Sequence, residues 1–180
     1  MAAAYALAFT RSDSGSKALA ALAESDDDAI AGIADFSIFR KSISNLRDWE
    51  LLSVMSYELG RSKRPWTRIL LVSYLGDEFK KASTPLFLMT IEKETDPLVR
   101  AEMLFQIACY GNEAQLSAAK SFIDRQPSKS IENFYESTSC FLDAVSLNPD
   151  KRLIIPLKAF GCNLPCALPH ITQFAHRDAR

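Results

Sequence analysis

The chain has 180 residues, of which 48% are hydrophobic, and a formal net charge of −1 at pH 7. Its length fits one domain with a real core, and its composition excludes wholesale disorder. The near-zero charge sets up no global field toward a nucleic acid or an anionic membrane, and no apolar run is long enough to span a bilayer.

Residues 1–9, MAAAYALAF, are apolar but lack a basic leader region, so they read as a first helix or an apolar arm docked on the body rather than a signal peptide. Residues 10–16, TRSDSGS, read as a loop by composition. A short helix follows, with Leu19, Leu22 and Ala23 facing inward. Ser25 is the expected cap of the next helix, and Asp26, Asp27 and Asp28 lie where the helix dipole favours negative charge. The sharper alternative makes these aspartates an acidic surface for a basic partner. Ile30, Ile33, Phe36 and Ile38 supply apolar contacts beyond them. Asp48 starts another helix, in which Leu52, Met55 and Leu59 repeat at three and four, and Gly60 is the expected stop.

Residues 61–68, RSKRPWTR, are the most basic stretch. They read as a loop and then a helix that Pro65 opens. Arg61, Lys63, Arg64 and Arg68 flank Trp66. Cations interleaved with an aromatic ring can hold phosphates and stack a base. They can equally form a protein-binding hot spot, where Trp and Arg are over-represented. A third arrangement packs Trp66 inward at the helix start and leaves the cations in water. Ile69, Leu70, Leu71, Tyr74 and Leu75 then make a mostly buried helix, with its stop expected at Gly76.

Residues 85–126 carry the clearest pattern. Thr84-Pro85 is a cap-then-proline start, and Asp96-Pro97 repeats it. In the helix after Pro97, Leu98, Ala101, Leu104, Phe105 and Ala108 share one face, and Val99, Met103 and Ile107 line the next. Only Arg100, Glu102 and Gln106 break the apolar wrap, so this helix is covered on more than one side. Gly111 is the expected left-handed stop. Asn112 caps the following helix, whose buried stripe is Leu116, Ala119, Phe122 and Ile123, and Pro127 ends it. The very short connections predict antiparallel neighbours.

Asp96-Pro97-Leu98-Val99-Arg100, followed by an apolar helix, a glycine turn and a second amphipathic helix, resembles the HEAT repeat. HEAT repeats are helix pairs that stack into an α-solenoid. The resemblance implies an all-α chain of stacked antiparallel helix pairs, a short HEAT-like α-solenoid. It also implies that Asp96 and Arg100 bond neighbouring repeats and are structural.

Beyond the repeat, Ile131, Phe134, Thr138, Phe141 and Val145 space out a clean amphipathic helix. Asn148-Pro149 starts another piece, interrupted at Pro156. Residues 1–159 are therefore expected to form the helical-repeat domain. Residues 160–180 are expected to be a proline-containing tail packed on the last helices. The tail holds Cys162, Cys166, His170 and His176, which have zinc-ligand chemistry, but the gap from Cys166 to His170 is too short to wrap a metal as a zinc finger does. No metal site is assigned. Cys109 and Cys140 lie in helical patterns and read as small buried apolar residues. The four cysteines do not look like a disulfide framework in a chain this long, which points to a reducing cytoplasm.

No glycine-rich phosphate loop, nucleophile elbow or zincin motif is present, so no catalytic residue and no cofactor is assigned. Three function classes remain: a protein-binding module, a HEAT-like nucleic-acid-binding protein using residues 61–68, and a structural subunit of an assembly. The first is favoured, with Arg61, Lys63, Arg64, Trp66 and Arg68 as the candidate binding residues. An inhibitor or adaptor fits this size. A bacterial immunity protein that neutralises a cognate toxin is one concrete version, resting on resemblance rather than on any residue. Neither a membrane nor a nucleic acid is the expected partner.

Overall fold

The computed structural model describes residues 12–125. The expectations for residues 1–9, for the end at Pro127, for the helices of residues 131–157 and for the tail of residues 160–180, its cysteines and histidines included, lie outside the described residues. Within them the chain is all-α, as expected: seven α-helices and one 3-10 turn, with no strand. The helices are α1 (Asp13–Ala23), α2 (Asp28–Ser42), α3 (Asp48–Arg61), α4 (Pro65–Phe79), α5 (Thr84–Ile91), α6 (Pro97–Tyr110) and α7 (Glu113–Asp124), with the 3-10 turn Lys80–Ala82 between α4 and α5.

Helices pack in chain-order pairs, α1 on α2, α3 on α4 and α5 on α6. The second member of each pair also packs on the next, α2 on α4 and α4 on α6. These three form an inner row, and α7 packs against α5 and α6. Position in the row explains burial. α4 and α6 have neighbours on both sides, so Ile69, Leu71, Val72 and Leu75 of α4 and Val99, Met103, Leu104 and Ile107 of α6 are all buried. Among the described residues α7 has neighbours on one side only, and its buried residues are the expected stripe of Leu116, Ala119, Phe122 and Ile123. One continuous core runs from Ile33 to Ile123.

The caps follow sequence chemistry, with some displaced positions. Asp96 accepts from the Leu98 and Val99 N–H groups at 2.9 and 3.1 Å, and Asn112 and Gln115 form a reciprocal capping box. Residues 13–16 are helical rather than loop, because Ser12 caps α1 by accepting from the Gly15 N–H. Asp27, not Ser25, caps α2: its carboxylate takes both the Ala29 and Ile30 N–H groups, while Ser25 accepts only from Asp27. Asp28 then lies in the first turn, so Asp27 and Asp28 do serve the helix start. Thr84 lies inside α5, its hydroxyl bonded to the Lys81 carbonyl and to Gln115.

The expected glycine stops are displaced as well. α3 runs past Gly60 to Arg61 and ends where Ser62 turns extended on the approach to Pro65. α4 runs past Gly76 to Phe79. A methyl group at Gly76 would collide with the Gln106 side chain, so the glycine marks close approach of α4 and α6. Gly111 ends α6 in an extended rather than left-handed conformation, with φ −69° and ψ 150°. A Cβ there would sit 2.5 Å from the Ile107 carbonyl oxygen that the Gly111 N–H bonds. The one non-glycine residue with positive φ among those described is Lys80, at φ 47°, which ends α4.

Candidate interaction surface

The basic stretch runs from the end of α3 into α4, and α4 is the middle helix of the inner row. Its side chains therefore have a neighbouring helix on either hand. Arg64 turns to one side, pairing with Asp35 at 2.9 Å and Asp28 at 3.3 Å and donating to the Ala23 carbonyl at 3.4 Å. Arg68 turns to the other. Its guanidinium grips the Glu94 carboxylate through two hydrogen bonds of 2.8 Å, and also donates to the Ser62 and Lys63 carbonyls. Trp66 is partly buried and packs against the core, close to α2; a Cβ at Gly32 would lie 2.6 Å from the Trp66 Cβ. Arg61 and Lys63 remain exposed, and Arg61 makes a 3.5 Å pair with Glu58 of its own helix. The structure thus separates the predicted binding residues. Arg64, Trp66 and Arg68 tie helix pairs together, and Arg61 and Lys63 face outward.

Glu94 is the centre of the tighter half of this arrangement. It precedes α6 and accepts, besides Arg68, the N–H groups of Thr95 and Asp96 at 2.9 and 2.8 Å. Burial alone would raise its pKa, but Arg68 and these two N–H groups outweigh burial and hold the carboxyl below its usual range. The Arg100 Nε donates to the Glu94 carbonyl at 2.5 Å, and its guanidinium lies 5.8 Å from the centre of the Phe122 ring on α7. Asp96 caps its own helix. The ion pair that ties α4 to the start of α6 is Arg68–Glu94, a partnership that the Asp-Pro pattern alone does not single out.

The exposed aromatic surface lies elsewhere, on α3. The buried stripe of Met55 and Leu59 faces α4, and Trp49 and Tyr57 fall outside it, 70% and 69% exposed. Trp49, Ser53, Tyr57 and Arg61 recur every four residues and so share one flank of the helix. Leu46, just before α3, adds a further exposed apolar side chain. Reading the sequence for basic clusters directs attention to Trp66 and misses Trp49. The available signal was an aromatic side chain lying off the apolar stripe of an amphipathic helix.

Cys109, expected to be buried, is half-buried, and desolvation first, then the charges of Glu102 and Asp77, push its thiol up to about 12, which disfavours the thiolate. Among the described residues no group of His, Cys, Asp and Glu could hold a metal ion, and no helix is long and apolar enough to cross a membrane. Comparison with protein-family models, with curated proteins and with solved structures finds no match to this chain.

Proposed function

We propose that this protein is a protein-binding helical module, a HEAT-like stack of helix pairs acting in the cytoplasm as an inhibitor or adaptor. The observation that carries the reading is the row Trp49, Ser53, Tyr57 and Arg61 along the outer flank of α3. Trp, Tyr and Arg are the residues most enriched in binding hot spots, and here they stand on a rigid helix anchored through Met55 and Leu59. A large exposed indole gains little in water and much in a partner's pocket. The helix-pair packing supports the HEAT resemblance by its form, since the second helix of each pair touches the second helix of the next. A cognate toxin is the concrete partner this size and architecture fit, and the other members of the basic stretch then contribute Lys63 at the rim.

A protein partner is favoured over a nucleic acid because Arg64 and Arg68 are committed to internal carboxylates. Phosphate binding would have to break those pairs. The test is capture of partners from the native host by the full chain and by a Trp49→Ala/Tyr57→Ala variant. The partner is expected to survive physiological salt and to be lost, or weakened more than about tenfold, with the double variant. Tight binding of DNA or RNA at that salt, unaffected by the double variant, overturns the reading.

A further inference from the structure

Glu102 lies on α6, 3% exposed, in the seam with α4. Gln106 sits one turn on, equally buried, and its Nε2 donates to the Glu102 Oε1 at 2.8 Å. Across the seam Gly76 leaves the space Gln106 occupies, and the Ser73 hydroxyl lies close enough to favour the charged carboxylate. The cluster has two oddities. Among the described residues Glu102 has no cation partner, unlike Glu94. The buried Gln106 Oε1 has no hydrogen-bond donor among the described residues. A proton on Glu102 removes the buried charge and adds a donor beside the Gln106 amide.

We propose that Glu102 makes the α4–α6 seam a proton-operated joint: the neutral acid holds the two inner helices together, and loss of its proton to water loosens them. Burial is the dominant influence and raises the carboxyl from 4.5 to about 7, against the smaller opposing effects of Gln106 and Ser73. Among the neighbouring charges, Asp77 of α4 shares the electrostatic neighbourhood of Cys109 with Glu102. α5 has no ionisable side chain. Lys80 and Lys81 of the 3-10 turn and Glu113, Lys120 and Asp124 of α7 are the charged groups on the other elements packed against α6, and burial, Gln106 and Ser73 are the influences on the Glu102 carboxyl. The joint therefore works near neutral pH, where it loosens the middle of the seam while the Arg68–Glu94 pair still holds its end.

The test is amide hydrogen exchange of the full chain between pH 6 and pH 8, corrected for the intrinsic pH dependence of exchange. In the parent protein, protection of α4 and α6 amides is expected to fall about tenfold over that interval. In Glu102→Gln, whose amide can donate to Gln106 without titrating, protection is expected to stay level. A fall of the same size in Glu102→Gln, or no fall in the parent, overturns the proposal. Should Glu102→Gln not fold, carbon-13 NMR titration of the Glu102 carboxyl in the parent decides instead: a midpoint near 7 supports the joint, and one near 4.5 sinks it.

Discussion

Two glutamates hold the same two helices and are treated in opposite ways. Glu94, before the start of α6, meets the guanidinium of Arg68 on α4 and two backbone N–H groups. Glu102, inside α6, meets only an amide and a hydroxyl among the described residues. Both are buried. The first is kept charged because a guanidinium and two backbone N–H groups outweigh burial, and the second is pushed toward neutrality because burial outweighs neutral partners. Burial alone does not decide the charge of a carboxyl; the partner aimed at it does. One end of the seam is thus strengthened by ionisation and the middle is weakened by it.

The largest expected effect breaks the charged end. Arg68→Met keeps the apolar stem but strands Glu94 without its cation, and should destabilise the domain by about 3–5 kcal/mol at pH 7, measured by urea unfolding. The loss should shrink on acidification. Glu94 has a depressed folded pKa, so its contribution exists above the unfolded pKa and disappears as pH falls through the folded one. An equal loss at pH 3 and pH 7 would mean that packing of the arginine stem, not charge, holds this end.

The middle of the seam should respond with the opposite sign. The folded pKa of Glu102 is raised from 4.5 to about 7, so the stability linked to it is complete below pH 4.5 and is lost as pH rises toward 7. Glu102→Gln removes that loss. It should be neutral at pH 4 and stabilising by at most about 3 kcal/mol at pH 8, relative to the parent. Destabilisation at pH 8 would show that the carboxylate has a cationic partner in solution. Gly76→Ala tests the space rather than the charge. Its methyl group would meet Gln106 and should cost about 1–3 kcal/mol at every pH, with a pH-dependent cost pointing to displacement of Glu102 itself.

The elements of this fold were legible because their signals are local. Asp96 and Asn112 cap the helices they were expected to cap, and the stripe of α7 was read residue for residue. What failed to be legible depends on which helix comes to lie opposite. Gly60, Gly76 and Gly111 all read as stops, yet none is left-handed, and Gly76 serves a contact with a residue far away in sequence. Glu102 and Gln106 read as polar breaks in an apolar wrap, because nothing in α6 announces that α4 offers them a glycine. The basic stretch read as one surface, but α4 sits mid-row, so Arg64 and Arg68 turn to different neighbours. Trp49 was hidden for a simpler reason: an exposed aromatic side chain has no local partner to mark it.

The smallest expected effect serves as a control on both glutamates. Lys80 ends α4 with φ 47° and ψ −117°, a conformation that an L side chain rarely adopts. Such strain costs on the order of 1–3 kcal/mol, and glycine would relieve it while adding some freedom to the unfolded chain. Lys80→Gly should therefore stabilise by about 1 kcal/mol, and Lys80→Ala, which keeps a Cβ, should not. Lys80 is exposed, and it influences neither glutamate, so the gain should be the same at pH 4 and pH 8. A gain that varied with pH would mean that the end of α4 moves when Glu102 titrates. The seam would then loosen along its whole length rather than at its middle.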